Sequence, residues 1–144
     1  MRKTVRDRPL AKADFEQLAQ FRYQLRRFLR FSEELTRHHA ITNLQYQLLL
    51  QLKGFPGREW AGVSELAERL QAHHHGVVAL ISRCEVMGLV RRRVNAADRR
   101  RVEIHLTAKG VRCVTALATQ HRNELLSLQA TLRTPDLPLA AQEE

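Results

Sequence analysis

With 144 residues, 44% of them hydrophobic, and only four prolines and six glycines, the chain suits one compact domain with helical extensions and is not composed like a disordered segment. A net charge of +9 and a pI near 10.7 point to an anionic partner. No apolar run reaches the ~18–20 residues of a membrane span, residues 1–15 lack the apolar stretch of a secretory signal, and two cysteines make no disulfide framework, so a cytoplasmic location without membrane attachment is expected.

From Leu10 to His38, the apolar residues Phe15, Leu18, Phe21, Leu25, Phe28, Leu29 and Leu35 recur every three or four positions with no interior Gly or Pro, which predicts one long helix. Arg22, Arg26, Arg27 and Arg30 make its other face basic, in the manner of a solvated helix face. Thr42-Asn43-Leu44-Gln45 is a capping box, and Leu44, Leu48, Leu49 and Leu52 follow at helical spacing up to Gly54, so a second helix is predicted over 43–53. Phe55-Pro56-Gly57 reads as a turn, and residues 60–63 as a short strand able to join the edge of a later hairpin.

The stretch 63–110 organises the rest. Leu66, Ala67 and Leu70 sit at helical spacing behind Ser64, which is placed as an N-cap. After the polar break Gln71-Ala72-His73, Val77, Leu80, Ile81 and Cys84 define one apolar face of another helix. The opposite face carries His75, Gly76, Ala79, Ser82 and Arg83, small residues that allow close approach beside hydrogen-bonding ones. Gly88 ends this helix, and residues 89–94 and 101–106 read as two strands around the turn Asn95-Ala96-Ala97-Asp98-Arg99. Val102, Ile104 and Leu106 alternate toward one buried face, whereas Arg92 shares a face with Val90 and Val94 and marks its strand as an edge. From Arg91 to Arg101, six arginines stand against one aspartate, a local charge of +5 that is too dense to bury. Two helices and a basic hairpin make a winged helix-turn-helix, whose second helix enters the major groove of double-stranded DNA while hairpin arginines reach phosphates or the minor groove.

Thr107 is placed to cap a last helix, in which Val114, Ala118, His121, Leu125, Leu128 and Leu132 recur near the helical period. Together with the N-terminal helix, this is more apolar helical surface than the central module can cover. A homodimer is therefore expected, with Phe15, Leu18, Leu125, Leu128 and Leu132 at its interface and two reading helices about 34–36 Å apart. The fold class expected is mainly α with a small antiparallel β-hairpin wing. Its divisions are an N-terminal dimerisation helix (1–38), the winged helix-turn-helix lobe (39–106), and C-terminal dimerisation helices with a frayed tail from 135 (107–144).

The run GLVRR…NAADRRRVEIHLTAKG, preceded by ELAERL and TNLQYQLLLQL, resembles the MarR-type transcriptional regulators over residues 40–112. The resemblance implies a homodimeric DNA-binding repressor or activator, often released by a small molecule or an oxidant. It also implies that the tip aspartate, here Asp98, orients Arg100 toward the minor groove. Its oxidant-sensing branch carries a cysteine near the start of the first helix, and this chain has none there.

DNA contacts are accordingly assigned to His73, His74, His75, Gly76, Ala79, Ser82, Arg83, Arg93, Asp98, Arg99 and Arg100. Adjacent histidines point in different directions, so the triple histidine suits hydrogen bonding to DNA better than a metal, and neither a metal nor a cofactor is expected. His38, His39 and His121 are candidates to converge on each other or on a small-molecule carboxylate, and a small aromatic or phenolic effector is the expected ligand. Cys84 reads as a core hydrophobe; Cys113, near a helix start, is the candidate for a lowered thiol pKa and hence for a thiol-responsive regulator. No nucleophile elbow, phosphate-binding loop or zinc-protease motif occurs, so no catalytic residue is assigned. The functional expectation is a repressor on a palindromic operator; the rivals are an architectural, non-specific DNA binder and a winged helix used only to bind protein.

Overall fold

The computed structural model describes residues 9–129, within which the elements run α1 (Lys12–His38), α2 (Asn43–Lys53), β1 (Trp60–Ala61), α3 (Val63–Leu70), α4 (His74–Val86), β2 (Val90–Val94), β3 (Val102–Leu106) and α5 (Ala108–Leu128). Leu132 and the tail from residue 135 lie outside the described residues. The chain divides into two compact units, one of residues 32–123 and one built from its two ends, of which 9–31 and 124–129 are described. Among the described residues, no helix is long and apolar enough to cross a membrane.

The core of the 32–123 unit follows from the apolar spacings. Leu48, Leu49 and Leu52 of α2, Leu66 of α3, Val77 and Ile81 of α4, Ile104 of β3 and Leu117 of α5 are fully buried. Each such side chain contributes roughly 1.5–3 kcal/mol on burial. Leu44, expected on the buried face of α2, is instead 43% exposed. The same turn packs through Gln45 and Tyr46, which are buried, so its inward side is turned away from Leu44. The capping box forms as predicted: the Gln45 N–H donates to Thr42 Oγ1 at 3.1 Å, and the Thr42 N–H donates to Gln45 Oε1 at 2.9 Å.

Ser64 does not cap α3. The helix starts two residues earlier than that cap would place it, with Gly62 in extended backbone as N-cap and its N–H donating to Glu65 Oε1 at 3.0 Å; Ser64 is left inside the first turn. The three strands form an antiparallel sheet of order β1-β3-β2, so the short first strand joins β3 and leaves the arginine-rich β2 at the edge, as expected. Of the alternating residues in β3, Ile104 is buried but Val102 is 38% exposed. Val102 pairs with the exposed Val94 at the tip end of the ladder, where cover from the helices has ended.

The α4–β2 corner is tied to the start of α5. Gly88, with φ +74°, closes α4 by donating to Glu85 O at 3.0 Å, while the Leu89 N–H donates to Cys84 O at 2.9 Å. The carbonyl of Leu89 then accepts the Thr107 N–H at 3.1 Å, and the Thr107 hydroxyl both donates to Gly88 O at 2.5 Å and accepts the Gly110 N–H at 3.0 Å. Lys109 Nζ donates to Met87 O at 2.7 Å. Gly110 lies so close that a Cβ there would stand 2.0 Å from the Leu89 oxygen.

In the other unit, Phe15 and Leu18 of α1 are 54% and 43% exposed and Leu125 of α5 is 41% exposed, whereas Leu128 is buried within the chain.

The joint and the cap differ in what a substitution should cost. Gly110→Ala should destabilise by about 3 kcal/mol, because a backbone carbonyl cannot move aside as a side chain would, and should lower the melting temperature by about 10 °C. Thr42→Ala should cost only about 1 kcal/mol, the loss of one cap, measured by urea unfolding.

Candidate nucleic-acid interface

The reading helix α4 separates its two faces cleanly. Val77, Leu80, Ile81 and Cys84 are buried, whereas His73, His74, His75, Gly76, Ala79 and Arg83 are exposed and Ser82 is half-buried. His73 occupies the N-cap position in extended backbone, and its side chain makes no capping bond. The rings of His73 and His75 stack at 5.8 Å, and His74 lines the cleft at the helix turn with Ser64, Ala67, Glu68 and Gln71. An uncapped helix start concentrates unpaired N–H groups and positive dipole where an anion would bind.

The wing is organised from its turn. Asn95 Oδ1 accepts the N–H groups of Ala97 (2.9 Å) and Asp98 (3.0 Å), Asp98 Oδ1 accepts the Arg100 N–H (3.0 Å), and main-chain bonds join Asn95 to Arg101 and Arg101 to Asp98. Asp98 thus fixes the backbone of Arg100, the residue that the resemblance links to it. Arg91, Arg99, Arg100 and Arg101 are exposed and make no ion pair among the described residues. Arg93 stands opposite Glu103 in the ladder. Glu103 also accepts Asn95 Nδ2 at 2.7 Å and His105 Nε2 at 2.9 Å. Those bonds, the one from His105 foremost, hold its carboxyl below the usual range, with the nearby Arg93 charge adding to the effect.

Sequence reasoning missed several of these residues. Arg92 Nη1 donates to Glu85 Oε1 at 2.8 Å, its backbone N–H to Glu85 Oε2 at 3.1 Å, and Nη2 to Ser82 Oγ at 2.9 Å. Ser82, assigned to DNA, therefore accepts from the wing and donates to Val78 O at 3.0 Å. No periodicity links a helix carboxylate to an arginine seven residues on across a helix end. The Asn95–Glu103 bond was in principle readable once the hairpin register was known, because Glu103 pairs with Arg93, two residues before Asn95, and so lies diagonally from it beside the turn. Behind the wing, Arg58 lies over the rings of Trp60 (3.9 Å) and Phe55 (4.4 Å) and pairs with Glu65, while Trp60 stacks on His105 at 6.2 Å. This braces β1 and β3 against α3.

His121 and His39, at the ends of the module, take separate partners. His121 is buried, stacks on Tyr46 at 4.6 Å, donates from Nδ1 to Leu117 O at 2.7 Å and accepts the Ser32 hydroxyl at Nε2 at 2.8 Å. Asn43 Nδ2 donates to the same hydroxyl at 2.5 Å. This is a structural chain joining α1, α2 and α5. His39 is exposed, and its Nδ1 donates to Leu35 O at 3.0 Å; no hydrogen bond among those described joins it, or the exposed His38, to His121.

The thiol expectation for Cys113 is reversed. Burial raises its pKa and outweighs the lowering effect of Lys109, and burial pushes Cys84 up to about 11, with Cys113 adding a smaller rise. No group of three or more His, Cys, Asp or Glu that could hold a metal is found among the described residues.

A reading helix with an open start, set beside an exposed basic wing and backed by a buried core, defines a winged helix-turn-helix. Residues 40–101 match the sequence model of the MarR family, and the fold is similar to that of MarR family transcription regulators. AbsC, a MarR family transcriptional regulator from Streptomyces coelicolor, is similar at 26% identity and a TM-score of 0.69 over 90% of this chain and 86% of that one. A point mutant of MepR from S. aureus, solved bound to an oligodeoxyribonucleotide, is 26% identical with a TM-score of 0.63 over 78% and 81%. A MarR family protein from Bacillus stearothermophilus shares the fold, with a TM-score of 0.72 at 21% identity over 87% and 86%. Comparison with curated proteins gives no match.

The thiols make a testable pair. Iodoacetamide at pH 7.5 should label Cys113 several-fold more slowly than a free cysteine, since little thiolate is present. For Cys84, the folded chain keeps a proton that the unfolded chain loses, so its contribution to stability is complete below about pH 9 and fades as the pH climbs toward about 11. Urea midpoints over that window should fall less steeply in Cys84→Ala.

Proposed function

We propose that the protein is a sequence-specific DNA-binding regulator that represses by occupying a palindromic operator as a homodimer. One observation carries this reading: α4 buries one whole face in the core and leaves the other exposed beside a hydrogen-bonded turn that carries the unpaired Arg99, Arg100 and Arg101 in solvent. The surface so presented is narrow, cationic and fixed in shape, as a groove requires. In this reading His73, His74, His75, Gly76, Ala79 and Arg83 meet the major groove. Arg93, Arg99 and Arg100, with Asp98 orienting the last, meet phosphates or the adjacent minor groove. Gly76 and Ala79 read few base edges, so DNA shape carries a large share of the specificity.

The exposed Phe15, Leu18 and Leu125 support pairing through the two chain ends, with residues 1–38 and 107–144 as the frame and 39–106 as the reading lobe. Effector control is supported by a cavity of about 230 Å³ lined by Leu50, Val114 and Ala118 together with Lys53 and Arg122, a mix that suits a small aromatic acid. An acid bound there would shift the DNA-competent population by ~1–3 kcal/mol if it favoured one spacing of the reading helices.

Arg100→Ala should weaken binding to a duplex selected by the chain by about 1–3 kcal/mol and lower the salt slope of log Kobs by about one, with the melting temperature unchanged. Undiminished affinity at physiological salt would remove the wing from the reading surface. An architectural binder is separated by competition: a regulator keeps a preference of ~10³-fold or more for its own site. A phenolic acid that releases the duplex should lose most of that effect in Arg122→Ala, followed by fluorescence anisotropy.

A further inference from the structure

The wing holds six arginines, and one of them is arranged unlike the rest. Alternation along β2 turns Val90, Arg92 and Val94 to one side, and Arg92 lies opposite the fully buried Ile104, so it faces the body of the module. Its guanidinium meets Glu85 and Ser82, both on α4. Glu85 holds Arg92 twice, by its side chain and by its main-chain N–H, which fixes the strand as well as the guanidinium. The side chains of the pair are 33% and 40% exposed, so they are partly withdrawn from water, and charge-assisted bonds of this kind are the stronger ones. To reach a phosphate, the Arg92 guanidinium would have to give up both partners and leave the Glu85 carboxylate without its countercharge.

We propose that Arg92 is a positioning residue and not a DNA contact: the Glu85–Arg92–Ser82 clamp sets the wing at one angle to α4, so discrimination between sequences depends on it while general attraction to DNA does not. This rests on the DNA-binding reading. Two surfaces that must engage neighbouring grooves together need a fixed relation, and a misplaced wing loses the contacts that only the right sequence and shape reward. The paired charges of Glu85 and Arg92 cancel, so the clamp adds little to the attraction for phosphates. Ser82 belongs to this joint and not to the base-reading set.

The test uses the full chain, a duplex selected by it from a random pool, and a random-sequence duplex of equal length, with Arg92→Gln, Glu85→Gln and the double variant. Arg92→Gln should weaken the selected duplex about tenfold and the random one less than threefold, with the salt slope unchanged. Glu85→Gln discriminates by sign. Removing an acidic group beside DNA would tighten binding if Arg92 were a phosphate contact; here it should weaken the selected duplex as Arg92→Gln does, and the double variant should be no worse than either. A salt slope lower by about one in Arg92→Gln, with tighter binding by Glu85→Gln, would overturn the proposal.

Amide exchange in the DNA-free protein gives a second measurement. Glu85→Gln should speed exchange at the Arg92 N–H at least tenfold, and unchanged exchange overturns the clamp whatever the DNA result. Should the unaltered chain prefer no sequence, the operator reading fails, and the exchange measurement still decides whether the joint exists.

Discussion

The carbonyl and amide of Leu89 join the parts of this module. The amide closes α4 against Cys84, the carbonyl receives Thr107 at the head of α5, and Gly110 approaches the same oxygen more closely than a residue with a Cβ could. The hairpin leaves and re-enters the body of the protein between these points, with its root held by main-chain bonds at both ends. A wing anchored only by surface side chains would swing; this one departs from a corner whose polar groups are all engaged. The physical content of GLV before the wing and LTAKG after it is therefore a single joint. Gly88 supplies the left-handed turn, Thr107 the two-way hydroxyl, Lys109 a cation on the Met87 carbonyl at the end of α4, and Gly110 the absent side chain.

Charge is distributed around that joint by a simple rule. The one wing arginine whose strand position faces the module, Arg92, is paired with Glu85 and Ser82, while those at the tip are left in water. The tip keeps its shape through groups that carry no net positive charge: Asn95 and Asp98 hold the turn, and Glu103 ties it to His105 and the sheet. Rigidity and attraction thus come from different side chains. That separation allows a dense cationic loop to be ordered without neutralising the charge that draws it to a polyanion.

The polar residues of the interior serve the frame. His121 takes both of its ring nitrogens to partners within the chain, and the two thiols sit where burial holds their protons on. A histidine or cysteine on a helix can be read from sequence as a sensor or as a core residue with equal ease, because the letter is the same and only the surroundings differ. Here those surroundings make His121 a buttress between α1, α2 and α5, and leave Cys84 a small apolar side chain.

Much of the architecture was legible in the residues. The spacing of Leu48, Leu49 and Leu52, the Thr42–Gln45 box, the Val77-to-Cys84 face of α4 and the edge position of β2 are local patterns, set by helical and strand periods that operate over a few residues. The basic tip was legible for the same reason, since a dense run of arginines can only face solvent or an anion. The Leu89 joint, the Arg92 clamp, the His121 chain and the exposure of Leu44 were not. Each depends on which distant backbone or side chain arrives at a given point, and that is decided when α4, the sheet and α5 pack together; no period in the chain encodes it.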